Sequence, residues 1–214
     1  MTTELDAELV ERLRRGGELV LAELFLQYRS RLERMVHFRM DPRLSARVDV
    51  GDVLQEAYLD AAKRVDSYLA NPEAPFFVWL RGITGNTLMD VHRRHLGAAA
   101  RDAGKEVSLY RGATDATSEL LAARLVGRLT SPSQALMREE LISQVEQALR
   151  QMDETDREVL ALRHFEQVSN SEVAEILGLT KTAASNRYVR ALARLRQILM
   201  AIPGLREQFG EEPR

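Results

Sequence analysis

Five basic side chains, Lys181, Arg187, Arg190, Arg194 and Arg196, fall in one short stretch that holds no acidic residue. The chain as a whole has a net charge of −2, so this is positive charge collected in one place. Such a cluster can contact phosphates. On a helix that follows a tight turn it can also present side chains to the DNA major groove. The surrounding residues, SNSEVAEILGLTKTAASNRYVRALARLRQ from Ser169 to Gln197, supply that turn. Ser169 followed by Glu172 is a capping box that starts a helix. Val173, Ala174 and Leu177 give this helix an apolar face. Gly178 stops it, because glycine accepts the left-handed conformation of a sharp C-cap. Thr180 then caps a second helix, whose expected buried stripe is Ala184, Tyr188, Ala191, Leu192 and Leu195. The small Ala174 and Ala184 let the two helices approach. The alternative is an ordinary helical hairpin with a solvated basic face.

A second cluster lies earlier. Tyr68, Phe76, Phe77 and Trp79 surround the loop Asn71-Pro72-Glu73-Ala74-Pro75, and Arg81, Asn86, Arg93, Arg94 and Arg101 lie on or just after the next helix. Aromatics beside arginines can stack on unpaired bases and hold phosphates. The competing reading places Phe76, Trp79, Leu80 and Ile83 in a helix core at i, i+3, i+4 and i+7, and for the last three it is preferred. No catalytic set is evident. His37, His92, His95 and His164 are scattered, and His92 and His95 lack an acidic partner at metal-ligand spacing. Asp52 and Glu56 share a helix face at i, i+4, which suits a solvated or partner-binding surface better than a buried acid/base pair. Neither a phosphate-cradling glycine loop nor a GxSxG occurs, so no catalytic residue, metal or cofactor is expected.

The elements that must position these clusters are helical. Strand signals are nearly absent from the 214 residues, while leucine, alanine, glutamate and arginine recur at helical spacing. Helices are expected over about Asp6 to Arg14, and over Leu19 to Phe38 with Leu21, Leu24, Phe25, Tyr28, Leu32 and Met35 inside. Asp41-Pro42 ends the second. Asp49 caps a helix from Val50 to about Leu69, and Phe76 to about His95 follows the loop. From Gly97 to Thr130 the apolar periodicity weakens. Ser118 to Val126 has the makings of a short helix, but the whole stretch reads as a linker. Ser131-Pro132-Ser133-Gln134 then caps a helix to about Gln151, and another runs from Thr155 to His164. The expected fold is all-α: two small helical bundles joined by a flexible linker, the C-terminal one containing a helix-turn-helix.

Composition narrows the function classes. A hydrophobic fraction of 45% supports packed cores, and a charged fraction of 29% with near balance argues against a general polycation. With no cysteine, disulfides, thiolate zinc sites and thiol redox sensing are excluded. The N-terminus lacks the apolar core of a signal peptide, and no later run is long enough to span a membrane. A cytoplasmic protein without membrane insertion is expected.

These residues resemble a known family, the bacterial RNA polymerase sigma factors of the extracytoplasmic-function (ECF) group. DVLQEAYLDAAKRVDSY, from Asp52 to Tyr68, resembles the helix of sigma region two that docks on the polymerase clamp. FFVWLRGITGNTLMDVHRRH, from Phe76 to His95, resembles the promoter-melting and minus-ten segment. Val145 to about Leu199 resembles region four, which reads the minus-thirty-five element. There are departures: Ala62 stands where tryptophan is common, Gly85 where arginine is frequent, and Ser185 where a lysine or arginine often stands. The resemblance implies region two over 1–97, a linker over 98–130, region four over 131–202 and a tail over 203–214. It implies polymerase docking through Asp52, Gln55 and Glu56. Minus-ten recognition would fall to Tyr68, Asn71, Phe76, Asn86, Arg93 and Arg94. The upstream element would be read by Ser185, Asn186, Arg187 and Arg190, with Lys181 and Arg194 nearer phosphates. Implied partners are core RNA polymerase (clamp helices and flap of the large subunits) and promoter DNA, with an anti-sigma factor as a further candidate. Two other classes compete: a dimeric regulator with a helical sensor domain that binds DNA alone, and an all-α enzyme with a DNA-binding tail, which no residues support.

Overall fold

A computed structural model of the chain describes residues 4–41, 43–44, 47–96, 115–129 and 135–202. Every regular element among them is helical. The chain divides into two compact units, residues 1–111 and 112–214. Pro42, Arg101, the Ser131 to Gln134 cap and the tail over 203–214 lie outside the described residues.

Unit 1 is three helices: α1 (Glu4–Arg39), α2 (Val50–Ala70) and α3 (Phe76–Leu96), each packed on the other two. The expected break after Arg14 is present, as a kink inside one long α1. Gly17 adopts φ 53°, ψ −134°, a conformation that only glycine takes at little cost. Beyond the kink, Leu21, Leu24, Phe25, Leu32 and Met35 are buried, as their spacing requires, while Tyr28 is half-buried. Asp49 caps α2, its carboxylate accepting from the Gly51 N–H. The side opposite Asp52 is apolar, with Val53, Leu54, Ala57 and Ala61 inside. Helix α3 brings Phe76, Leu80, Ile83 and Leu88 to the same core.

Unit 2 contains α4 (Asp115–Leu129), α5 (Ala135–Leu149), α6 (Glu154–Leu160), α7 (Asn170–Leu177) and α8 (Lys181–Ala201). Helix α6 continues as a single π turn, Ala161–Phe165. Helix α4 corrects the linker expectation for residues 115–129. Its stripe is short and partly polar, which is why periodicity understated it. Leu121, Ala122 and Val126 are buried, and so are Thr117 and Ser118. Packing on α5 and α6 stabilises the helix, and the Thr117 hydroxyl donates to the buried Glu158 carboxylate at 3.3 Å. Helix α8 packs on α5, α6 and α7, and so reaches most of the unit.

Candidate nucleic-acid interface

The helix-turn-helix is assembled from the local signals. The Ser169 hydroxyl accepts from the Glu172 N–H, and the Glu172 carboxylate accepts from the Ser169 N–H at 2.9 Å, closing the capping box. Gly178 lies in the left-handed region at φ 63°, ψ 37°, and its N–H donates back to the end of α7. The Thr180 hydroxyl accepts from the Ala183 N–H at 3.1 Å and starts α8. A tie that local patterning did not suggest joins the two helices: the Asn170 side-chain amide donates to the Lys181 carbonyl at 2.9 Å.

Helix α8 has two distinct sides. Ala184, Ala191, Ile198 and Leu199 are buried against the unit. Tyr188 is half-buried with the Arg163 guanidinium over its ring, and Arg163 also donates to the Val168 carbonyl at 2.8 Å. Leu192 departs from the expected stripe, at 37% exposed, while Ile198 and Leu199 are buried further along the helix. Lys181, Ser185, Asn186, Val189, Arg190 and Arg194 stand on the exposed side. With no acidic residue on the helix, this side is electropositive and attractive to a phosphate backbone.

Arg187 stands apart from that side. Its guanidinium donates to Asp153 at 2.9 Å and to Asp156 at 2.7 Å, both at the first turn of α6. The Asp156 hydrogen bond raises Arg187 above the ordinary arginine range against the opposing effect of desolvation. Desolvation pushes the Asp153 carboxyl up. The Asp156 backbone N–H and the Arg187 charge outweigh it and hold the group below its ordinary value. Sequence reading missed these two carboxylates, since nothing local to α8 points to partners so far away in the chain.

In unit 1 the structure separates residues that the sequence grouped. Phe76 is fully buried and Tyr68 is 5% exposed, which corrects their placement as direct contacts to a base. They belong to an aromatic cluster in which Tyr68 stacks on Trp79 with ring centres 4.6 Å apart and Phe76 packs on both rings. The Tyr68 hydroxyl donates to the Ala74 carbonyl at 3.0 Å, so these residues fasten the loop before α3. Arg81, which the sequence sets beside these aromatics, is buried. Asn71 is exposed, with its side chain on Glu73 and its N–H on the Tyr68 carbonyl. Asn86, Arg93 and Arg94 are exposed along α3. Arg93 pairs with Asp90, and Arg94 with Glu56 of α2 at 2.5 Å.

Asp52, Gln55 and Glu56 all lie exposed on α2. Asp52 and Gln55 border an open cleft between α1 and α2, whose apolar walls include Phe25, Leu26, Leu54 and Tyr58. Leu26 is 66% exposed there, so this polar edge meets apolar surface. Glu56, in contrast, turns toward α3 and its Arg94. Among the described residues no group of His, Asp and Glu could hold a metal ion. No helix there is long and apolar enough to cross a membrane.

The chain is similar to several known proteins. Residues 142–195 match the family model described as "Sigma-70, region 4". Over 212 residues the chain is 28% identical to the RNA polymerase sigma-H factor of Pseudomonas aeruginosa, covering 97% of this chain and 99% of that protein. It is 26% identical to the ECF RNA polymerase sigma-E factor of Haemophilus influenzae, with 87% of this chain and 90% of the relative covered. The solved structure of CnrH in complex with the cytosolic domain of CnrY shares the fold. It has a TM-score of 0.50 at 24% identity and covers 92% of this chain and 99% of that one.

Proposed function

We propose that this chain is an RNA polymerase sigma factor of the extracytoplasmic-function group, as its similarity to such proteins supports, and that its two units divide promoter recognition. A sigma factor binds core RNA polymerase and directs promoter-specific initiation. It lends specificity and performs no bond chemistry of its own, and its place of action is the cytoplasm.

Unit 1 docks on polymerase and handles the minus-ten element. Asp52 and Gln55 offer a carboxylate and an amide at the edge of the α1–α2 cleft, and Glu56, one turn on and paired with Arg94, extends this polar edge, which suits basic groups on a partner helix such as those of the polymerase clamp. Asn86 and the Asn71 loop hold an unstacked base of the non-template strand, and Arg93 and Arg94 hold its backbone. Extruding a base costs a few kcal/mol, which contacts made only to the open strand offset. Tyr68 and Phe76 support this work from inside by fixing the loop.

Unit 2 reads the minus-thirty-five element with the exposed side of α8. Ser185, Asn186 and Arg190 face base edges, while Lys181 and Arg194 face phosphates. The functional boundaries remain 1–97, 98–130, 131–202 and 203–214, except that α4 works with the second unit. The polymerase flap and an anti-sigma protein complete the set of partners.

The observation that carries this reading is an electropositive, capped recognition helix in one unit and an acidic docking face in the other. Asp52→Lys tests the docking face without disturbing the Glu56–Arg94 pair. It should sharply reduce capture of core polymerase while leaving helicity by circular dichroism unchanged. Undiminished capture would remove this assignment.

A further inference from the structure

We propose that Arg187 is a positioning residue of the recognition helix: it fixes α8 on α6 and takes no base edge itself. The proposal rests on the reading of unit 2 as the upstream-reading module.

Helix geometry supports it first. Residues three and four apart share a helix face. Arg187 is flanked at i−3 and i+4 by Ala184 and Ala191, both fully buried. It therefore lies along the edge of the buried stripe. Val189, two residues on, points to nearly the opposite side and is 64% exposed. Ser185, Asn186 and Arg190 are exposed as well.

Bonding supports it next. One guanidinium nitrogen donates to Asp153 at 2.9 Å and to Asp156 at 2.7 Å. Asp153 is also the N-cap of α6, accepting from the Asp156 N–H at 3.2 Å. The contact thus joins α8 to the fixed first turn of another helix. The side chain keeps only 28% of its exposure.

Charge supports it last. Turning Arg187 toward DNA would leave two carboxylates without their cation in the same unit as the DNA-facing helix. A guanidinium already held by two anions gains little from exchanging them for one phosphate or base edge. The Asn170 amide on the Lys181 carbonyl secures the start of α8, and Arg187 secures it two turns later. With both ties in place the exposed side chains keep one orientation.

The experiment uses full-length protein in holoenzyme with core RNA polymerase and a promoter pool randomised over the upstream element. Each variant is assayed well below its own thermal midpoint. Arg187→Ala should lower recovery of all upstream sequences by one common factor, about threefold to tenfold, without changing their ranking. Asp153→Asn combined with Asp156→Asn should produce a uniform loss of the same kind. Adding Arg187→Ala to that pair should cost no further, since all three changes remove one contact. Arg187→Lys should restore part of the loss. Arg190→Ala, the comparator, should alter the ranking.

A change of preference at one or two positions in Arg187→Ala, with the aspartate variants binding normally or more tightly, would overturn the proposal. A lowered thermal midpoint with unchanged recovery would overturn it too, since that reports stability alone. If the parent holoenzyme shows no upstream preference, both the proposal and the reading of unit 2 fall.

Discussion

Arg157 shows what a buried guanidinium requires. It is 6% exposed, and one nitrogen donates to the carbonyls of Leu149, Arg150 and Met152 at 3.2, 3.1 and 2.8 Å. Those carbonyls lie at the end of α5 and in the turn just after it, where backbone acceptors lack intrahelical donors. One cation therefore caps α5 from α6. Arg157→Met should lower unfolding stability by about 2–4 kcal/mol, because buried carbonyls lose a charged donor. Chemical denaturation of the full chain checks this, and a change within error would mean that other donors replace it. The same distinction between interior and surface separates the minus-ten residues. Phe76→Ala should cost about 3–5 kcal/mol of stability, the usual penalty for emptying an aromatic core position. Asn86→Ala should leave stability unchanged and reduce permanganate-detected opening of duplex promoter, with a smaller effect on a template already mismatched across the bubble. An Asn86 variant that opens duplex promoter like the parent protein would place the base contact elsewhere.

Elements respond to pH through the junction of α1 and α3. The Asp41 N–H points to His92 Nε2 at a long 3.4 Å, an arrangement that requires a neutral imidazole. Desolvation holds His92 below its ordinary 6.5, with the Asp41 carboxylate opposing and Arg43 reinforcing the shift. Above about pH 6.5 the group is neutral in both folded and unfolded chains and costs nothing. As the pH falls through that value, the unfolded chain takes the proton first, so unit 1 loses stability until folded His92 is protonated as well. The Asp41 carboxyl is lowered by its bond to Arg43, so its contribution is lost only at more acid pH, below 3.8. Thermal midpoints of the parent should therefore fall from pH 7.5 to 5.5, while His92→Asn should flatten that slope; equal slopes would contradict it. Most elements were legible in the sequence because their signals are local: Asp49, Ser169, Gly178 and Thr180 act within a few residues of themselves. What escaped was long-range. Helix α4 is held by its packing on α5 and α6, Arg187 by carboxylates of α6, and Arg94 by Glu56 of α2. The burial of Tyr68 and Phe76 has the same origin, since an aromatic beside an arginine reads alike on a surface and in a core.

At the scale of the whole molecule, specificity requires two DNA-reading units and a polymerase that holds them both. On the proposed reading neither unit alone sets promoter choice: α8 offers one basic face, and α3 offers exposed groups for an opened strand. Salt should separate the two roles. Arg194→Ala should weaken binding to all upstream sequences alike and reduce the salt dependence by about one phosphate contact. The most direct measurement is transcription in vitro from a pool of genomic fragments, with core RNA polymerase, with this protein, and with the two together. Defined start sites should appear only when both are present, preceded by two sequence elements at a fixed separation. Selection of the same sequences by the protein alone, with core polymerase adding nothing, would contradict it.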